Sequence, residues 1–279
     1  MFSPHKTLNC AGTLINLEQP IVMGILNLTR DSFYDGGKYL EENAAFRQIE
    51  KMLKEGATII DLGAMSSRPG AAISSPKEEL ETLMPLLTKA RSRFTEAIFS
   101  IDTIHAEVAV ACIENGAQII NDISGGRYDE AMLSKVVSYK NIPFILMHMK
   151  GMPDNMQKSP TYEDVALEVL DFFIERSAKM IALGFHDVIL DPGFGFGKTI
   201  EHNFELLKKM HVFQMIDLPV LAGLSRKSML YKTLNIEAEA ALNATSVVNY
   251  EALNQGARIL RVHDVKEAME TIKIWECVN

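Results

Sequence analysis

The chain has 279 residues, of which 47% are hydrophobic and 23% are charged, a composition typical of a globular protein with a large core. Its formal net charge of −8 argues against a nucleic acid partner, because binding to phosphate backbones depends on a basic surface. Any anionic ligand must therefore bind at a local basic site.

The cysteines and the hydropathy pattern indicate the cellular compartment. Cys10, Cys112 and Cys277 are scattered and lack Cys-x-x-Cys spacing, so neither a disulfide framework nor a thiolate metal site is expected. The sequence has no recognisable secretory leader and no apolar run long enough to span a membrane. We expect a soluble, cytoplasmic protein without a membrane partner.

Eight short apolar runs alternate with helical patterns along the chain. The runs are continuously apolar, which is typical of parallel strands covered on both faces. In chain order they are Ile21 to Thr29, Thr58 to Ala64, Ala97 to Thr103, Gln118 to Ser124, Pro143 to Met149, Val188 to Gly193, Pro219 to Ser225 and Ile259 to Asp264. Three helical segments end in a Gly-Ala pair, where glycine can adopt the left-handed conformation that stops a helix: Gly56-Ala57, Gly116-Ala117 and Gly256-Ala257.

The helical segments carry apolar stripes that predict a buried face. The first has Ala45, Ile49 and Met52, and the longest has Ala166, Leu170, Phe173, Ser177, Met180 and Ile181. Eight strands alternating with eight helices in one domain, with residues 1–20 as an N-terminal extension, favour an α/β protein with a (β/α)₈ TIM barrel over an open doubly wound sheet. The polar residues that end the strands are then expected to converge on one mouth of the barrel.

A glycine-rich segment follows the sixth strand, from Asp191 to Thr199. Gly197-Lys198-Thr199 ends as a phosphate-binding loop does, but that loop requires glycine at position 192, which is proline. The other glycines do not fit a dinucleotide motif either. We interpret them as a sharp turn leaving the strand, and the spacing argues against ATP or NAD.

Two carboxylates and an amide end otherwise apolar strands. Asp102 and Asp191 would be costly there as unpaired charges, and together with Asn121 they suggest recognition of a flat heterocycle that offers a row of N–H donors. Each could instead cap a helix or pair with a lysine. Metal binding by the two aspartates is a competing interpretation, although no Glu-x-x-His or His-x-Glu spacing supports it.

Basic residues end the last two strands. The segment Ser225 to Ser228 contains Arg226 and Lys227 and begins a helical stretch, which indicates an anion site. Arg261 and His263 have period-two spacing, which places both on one face of the eighth strand, although a surface pair shows the same pattern. With Arg68 after the second strand, the set favours a phosphate ester or diphosphate substrate.

The remaining polar positions have less specific signals. The segment Asn27 to Gly37 is a helix-capping turn or a mobile lid over a ligand. We expect Asp122 to support the structure, and His148 to lie near the site without chemistry of its own.

In combination, these motifs resemble the dihydropteroate synthases of the folate pathway. The matching motifs run in order from the first strand to the last: Gly24-Ile-Leu-Asn27 with Asp31-Ser-Phe33 and Asp35-Gly-Gly37, Asp61-Leu-Gly63 with Ser67-Arg-Pro-Gly70, Ser100-Ile-Asp-Thr103, Asn121-Asp-Ile-Ser-Gly-Gly126, Met147-His-Met149, Asp191-Pro-Gly193 with Gly195-Phe-Gly-Lys198, Ser225-Arg-Lys-Ser228 and Arg261-Val-His-Asp264. The resemblance covers nearly the whole chain, and eight motifs in order are highly specific.

The resemblance implies a (β/α)₈ homodimer with Mg²⁺ as cofactor. It implies a transferase that joins 6-hydroxymethyl-7,8-dihydropterin diphosphate to 4-aminobenzoate, with sulfonamides as inhibitors. The pterin would be bound by Asp102, Asn121, Asp191 and Lys227. The diphosphate would be bound by Asn27, Arg68, Arg261 and His263, the metal by Asn27 and Asp35, and the aminobenzoate by Phe33, Ser67, Pro69, Arg226 and Ser228. The catalytic set would be Asn27, Asp35, Arg68, Lys227, Arg261 and His263.

Two positions depart from the family pattern. Arg30 replaces a common proline, which is expected to loosen the first loop because proline fixes φ, and Ser67 replaces a frequent threonine. Asp61 is interpreted as support for the loop of Arg68 rather than as a ligand.

Two rival functions differ in what they leave unexplained. A pterin-binding methyltransferase barrel that acts on methyltetrahydrofolate expels no diphosphate, so the cationic motifs would have no task. A non-catalytic pterin-binding protein would be expected to have lost one of the anion ligands.

Overall fold

Eight parallel strands close into a barrel in chain order. The computed structural model of the chain describes residues 6–28, 38–65, 73–151 and 160–279. An antiparallel hairpin, β1 (Thr7–Cys10) and β2 (Thr13–Asn16), precedes the barrel strands β3 (Ile21–Asn27), β4 (Ile59–Gly63), β5 (Ile98–Asp102), β6 (Ile119–Asp122), β7 (Phe144–Met147), β8 (Val188–Asp191), β9 (Val220–Ala222) and β10 (Ala257–Val262). Pairing of β10 with β3 closes the barrel, and the predicted (β/α)₈ architecture is confirmed.

Helices connect these strands around the outside of the barrel. They are α1 (Lys38–Lys54), α2 (Pro76–Arg93), α3 (Ala106–Glu114), α4 (Met132–Val136), α5 (Val165–Leu183), α6 (Ile200–Lys208), α7 (Ser228–Leu234), α8 (Leu242–Asn254) and α9 (Val265–Val278). The predicted glycine stops are confirmed, with positive φ at Gly56, Gly116 and Gly256. Helix α5 begins where the side chain of Asp164 accepts hydrogen bonds from two backbone N–H groups, and it ends at Gly184 with φ of 108°.

Two details of the helix and strand predictions are wrong. Ile181 is 55% exposed, because it lies beyond the face of α5 that carries Phe173 and Met180 against the barrel. Most predicted strands run past the observed carboxyl ends. Strand β8, for example, stops at Asp191 because the chain turns at Gly193, whose φ is 66°.

The amino-terminal hairpin covers the lower end of the barrel. The sequence predicts only an extension for residues 1–20, but Leu8, Cys10, Ile15 and Leu17 are buried. They pack with inward-facing side chains of all eight barrel strands: Met23, Ile59, Ile98, Ile119, Ile145, Ile189, Leu221 and Ile259. This apolar floor excludes water from below, so the polar side chains farther along the strands can only be reached from the carboxyl ends.

Candidate active site at the carboxyl ends of the strands

An arginine, two carboxylates and an amide side chain meet above the apolar floor. Arg261 on β10 donates from Nε to Oδ2 of Asp61 on β4 at 2.7 Å, and from Nη2 to Oδ2 of Asp102 on β5 at 2.8 Å. Asn121 on β6 donates from Nδ2 to the same Asp61 oxygen at 3.0 Å. The strand ends therefore converge on one mouth, as the alternation of predicted strands and helices indicates. The two acidic residues and the amide are all buried.

The electrostatics keep this arginine charged. Burial alone would lower the pKa of Arg261, but the carboxylates of Asp61 and Asp102 raise it by more. Burial raises the pKa of Asp102 to about 7, while Arg261 opposes that shift. Arg261 is therefore a partly buried cation held by two carboxylates.

Asp191 and Lys227 form the other side of the mouth. Asp191 ends β8, is buried, and accepts a hydrogen bond from the backbone N–H of Gly193 at 2.8 Å. The Lys227 ammonium follows β9 and lies 4.3 Å from the ring centroid of Phe196. Burial lowers the pKa of Lys227 to about 8, and Asp191 and Asp102 oppose that shift. The four predicted pterin ligands therefore share one electrostatic environment.

The ring of His263 is oriented by a serine. Ser225 Oγ lies 3.0 Å from Nδ1 of His263 and accepts the backbone N–H of that residue at 3.3 Å. The hydroxyl can therefore donate to Nδ1, which places the proton of a neutral ring on Nε2. Although His263 is an exposed residue, desolvation of its ring and the nearby Arg261 lower its pKa to about 4, so the neutral ring is the form near pH 7.

The guanidinium of Arg226 is hydrogen-bonded to other residues of the chain. It donates from Nε and Nη2 to the two carboxylate oxygens of Asp264, each at 2.9 Å, and from Nη1 to the carbonyl of Glu239 at 2.6 Å. Its φ is 53°, so this residue turns the chain between β9 and α7, where Ser228 is the first helical residue. The predicted contact of Arg226 with aminobenzoate stays a prediction.

Several predicted site residues cannot be placed. Phe33, Asp35, Ser67, Arg68 and Pro69 lie outside the described residues, as does Arg30. Asn27 is described: it ends β3, is exposed, and lies opposite Gly63 in the register.

A buried lysine that the sequence does not single out supports the turn after β8. Lys198 is 4% exposed, and its ammonium lies 3.0 Å from Nδ1 of His148 and 3.0 Å from the carbonyl oxygen of Gly193. Burial lowers the pKa of Lys198 to about 7 and that of His148 to about 2. His148 is therefore a neutral acceptor in a structural contact.

Two further acidic residues have structural contacts. Asp122 accepts from the backbone N–H groups of Ser124 and Gly126 at 2.7 and 2.8 Å, so its predicted supporting role is confirmed. The contacts of Asp61 with Arg261 and Asn121 are not foreseen by the sequence. The sequence feature that could have indicated these contacts is an acidic residue at an inward-facing position of an otherwise apolar strand.

Comparisons with known proteins agree with this geometry. Residues 23–263 match the family described as "Pterin binding enzyme". Dihydropteroate synthase of Escherichia coli (strain K12) is 42% identical over 267 residues, covering 95% of this chain and 94% of that protein. The Haemophilus influenzae dihydropteroate synthase is 40% identical, covering 94% and 95%.

Solved structures show the same similarity. Yersinia pestis dihydropteroate synthase in complex with a sulfonamide drug aligns with a TM-score of 0.91 at 39% identity over 98% of both chains. The Xanthomonas albilineans enzyme with 4-aminobenzoic acid aligns with a TM-score of 0.90 at 35% identity, over 99% of this chain and 98% of that chain. This chain belongs to the family of pterin-binding enzymes. Within that family its relatives place it with the dihydropteroate synthases, which are transferases.

Two features are absent from the part of the chain that the structure describes. No helix there combines the length and apolar character of a membrane span. Within the same part of the chain, no group of three or more His, Cys, Asp or Glu side chains is arranged to hold a metal ion.

Proposed function

We propose that this chain condenses 6-hydroxymethyl-7,8-dihydropterin diphosphate with 4-aminobenzoate to give 7,8-dihydropteroate and diphosphate. The observation that carries the proposal is the partly buried Arg261 cation, which binds Asp102 directly and is joined to Asn121 through Asp61. A cation for the leaving anion therefore lies next to side chains that can bind a heterocycle. The relatives with sulfonamide or 4-aminobenzoic acid named in their structures support the same reaction.

The pterin would be bound by the acceptor side chains and one lysine. Asp191 and Asp102 accept N–H groups, and Asn121 can both accept and donate. Lys227 would donate to the ring carbonyl and N5. These groups lie at or beyond the carboxyl ends of four different strands, so the ring would be held on several edges.

The leaving diphosphate would be stabilised by Arg261 and by the Nε2–H of His263, with Arg68 closing over the site. No protein nucleophile is needed, because the dihydropterin can donate electron density to the methylene as the C–O bond breaks. The amine of 4-aminobenzoate then attacks that methylene and loses a proton. The protein's part is to stabilise the departing charge and to exclude water.

Asn27 and Asp35 would hold Mg²⁺ at this site. A Cβ atom at Gly63 would lie 3.6 Å from Asn27 Oδ1, so the glycine keeps space beside this oxygen ligand. Mg²⁺ commonly binds through one or two protein ligands together with phosphate oxygens and water. When bound, it neutralises charge on the diphosphate.

The aminobenzoate site would be formed by Ser228 with Arg226, Phe33, Ser67 and Pro69. The Ser228 hydroxyl directly follows Lys227, so a carboxylate bound there would place the aromatic amine toward the pterin methylene.

We also propose a cytoplasmic homodimer. Phe204, Met215 and Val247 are exposed at 37, 70 and 63%. They lie on α6, on the 3-10 turn after it and on α8, and α6 packs against the other two. The three cysteines carry free thiols, which fits a reducing compartment.

Release of diphosphate tests the proposed reaction. The purified protein with the pterin diphosphate, Mg²⁺ and 4-aminobenzoate is expected to release diphosphate and form dihydropteroate, measured by a coupled diphosphate assay and by chromatography. Chelation of Mg²⁺ with EDTA is expected to abolish the release. Absence of product under the complete conditions would remove the synthase interpretation.

Sulfonamides are expected to compete with 4-aminobenzoate. They imitate its aromatic amine and carboxylate, and both would occupy the surface at Ser228. A rise in the apparent KM for 4-aminobenzoate, with unchanged kcat, is the expected kinetic result. Inhibition that saturating 4-aminobenzoate cannot relieve would contradict a shared pocket.

The pH dependence of kcat/KM for the pterin diphosphate is expected to be bell-shaped. Asp102 loses its acceptor charge as the pH falls through about 7, and Lys227 loses its donor proton as the pH rises through about 8. Lys227→Arg is expected to lower the rate but to move the alkaline limb upward, because arginine stays protonated. An unmoved alkaline limb in that variant would assign it to another group.

A further inference from the structure

Asp61 connects the two halves of the mouth through a single oxygen. Its Oδ2 accepts from Nε of Arg261 at 2.7 Å and from Nδ2 of Asn121 at 3.0 Å. Arg261 belongs to the proposed diphosphate site and Asn121 to the proposed pterin site. One carboxylate therefore fixes a substrate-binding side chain on each side of the mouth.

This carboxylate is too deep to act as an ordinary surface partner. Asp61 is 1% exposed, and its Oδ1 is buried without a hydrogen-bond partner among the described residues. Burying a charge with an unsatisfied oxygen is costly. An apolar residue would fit the surrounding β4 run better, so a functional role accounts for the acid at this position.

The arginine is held at two chemically different points. Oδ2 of Asp61 contacts both Nε and Nη2 of Arg261, each at 2.7 Å, whereas Oδ2 of Asp102 contacts only the terminal Nη2, at 2.8 Å. Nη1 makes no hydrogen bond to any described residue. Release of Asp102 alone would therefore leave the guanidinium on Asp61 through Nε and Nη2, and would release the N–H of Nη2 that Asp102 accepts.

We propose that Asp61 is a positioning residue that acts as a fixed pivot for Arg261, with Asp102 as its exchangeable partner. This inference rests on the proposed function. A pterin that donates N–H groups to Asp102 competes with Nη2, so pterin binding releases one N–H of Nη2 that can join Nη1 in binding the diphosphate. The cation that assists the leaving group is thereby made available when the pterin is in place.

The pivot predicts positive coupling between two ligands, which can be measured without turnover. Affinity for inorganic diphosphate with Mg²⁺ is measured by calorimetry, with and without 6-hydroxymethylpterin. In the wild-type protein, the pterin is expected to strengthen diphosphate binding about 10-fold, which is the size of one charge-assisted hydrogen bond. Asp61→Asn is expected to remove that coupling while changing affinity for the pterin alone less than about threefold.

Matched variants separate the pivot from a general structural role. Arg261→Lys keeps the charge but replaces the planar guanidinium by one ammonium, so the fixed spacing between the N–H groups on Asp61 and those offered to diphosphate is lost, and it is expected to weaken the coupling as well. Ser100→Ala is the control, because Ser100 is the register partner of Asp61 on β5, is equally buried, and has no described hydrogen-bond partner. It is expected to keep the coupling.

Turnover gives a second readout. Asp61→Asn is expected to lower kcat about 10- to 100-fold with little change in KM for 4-aminobenzoate. Adding Arg261→Ala is expected to give a double variant no slower than Arg261→Ala alone, since Asp61 acts through Arg261.

Persistent coupling in Asp61→Asn, absent coupling in the wild type, or equal loss in Ser100→Ala would overturn the pivot. Multiplicative losses of kcat in the double variant would do the same. Failure of the wild-type protein to form dihydropteroate would instead overturn the proposed reaction. The calorimetric coupling distinguishes the two failures because it needs no catalysis.

Discussion

Arg261→Ala is expected to lower kcat about 100- to 1000-fold, the range found when one preorganised group for transition-state charge is removed. Affinity for 6-hydroxymethylpterin is expected to fall less than about 10-fold, because Asp191 and Lys227 remain. The cause is the loss of the partly buried cation that would stabilise departing diphosphate. Steady-state kinetics of diphosphate release and fluorescence titration of the pterin measure the two quantities separately.

A matched control for this variant lies on the same strand. Arg258 is three residues earlier on β10 and donates to the backbone carbonyl of Glu18 at the opposite end of the barrel, at 3.2 Å. Arg258→Ala removes the same charge and is expected to leave kcat within about twofold. Equal kcat in the wild type and Arg261→Ala would refute the assignment of Arg261 to the leaving group.

The loss of Arg261 also affects stability, which must be measured alongside kcat. Removing one partner of a buried ion pair costs about 3–5 kcal/mol, because Asp61 and Asp102 are left without their cation. Thermal unfolding shows whether the assay temperature lies below the transition of the variant. A loss of kcat that persists well below the unfolding temperature is caused by the missing cation and not by unfolding of the variant.

The positions of the strands and of the ligands at their ends could be predicted because they depend on local pattern. Continuous apolar runs ending in a polar residue, such as β5 at Asp102 and β8 at Asp191, identify both the strand and its inward-facing end. The rule that barrel sites lie at those ends then brings distant residues together.

Other features of the fold and of the site could not be predicted from the sequence, because they depend on tertiary contacts. The hairpin strands are four residues each, with exposed Thr7, Thr13 and Asn16, and their burial arises only on the barrel floor. Lys198 looks like a surface or phosphate-binding lysine until the turn encloses its ammonium. Asp61 has no local partner, because Arg261 is 200 residues away along the chain.

The turn after β8 is the place where a single methyl group is expected to have the largest structural effect. Gly193 has φ of 66°, and a Cβ atom there would overlap the carbonyl oxygen of His148. The same residue donates its N–H to Asp191 at 2.8 Å and accepts from Lys198 at 3.0 Å. Displacing it therefore disturbs a proposed pterin ligand as well as the packing between β7 and β8.

Gly193→Ala is expected to lower the unfolding temperature by about 10 °C, which corresponds to about 3–5 kcal/mol for a chain of this size. The control is Gly12→Ala, which also has positive φ, at 96°, but whose Cβ would meet nothing within 4 Å. It carries only the left-handed penalty of about 1–2 kcal/mol, a fall of roughly 2–6 °C. Differential scanning calorimetry compares the two, and equal shifts would show that the β8 turn relaxes without resistance from His148.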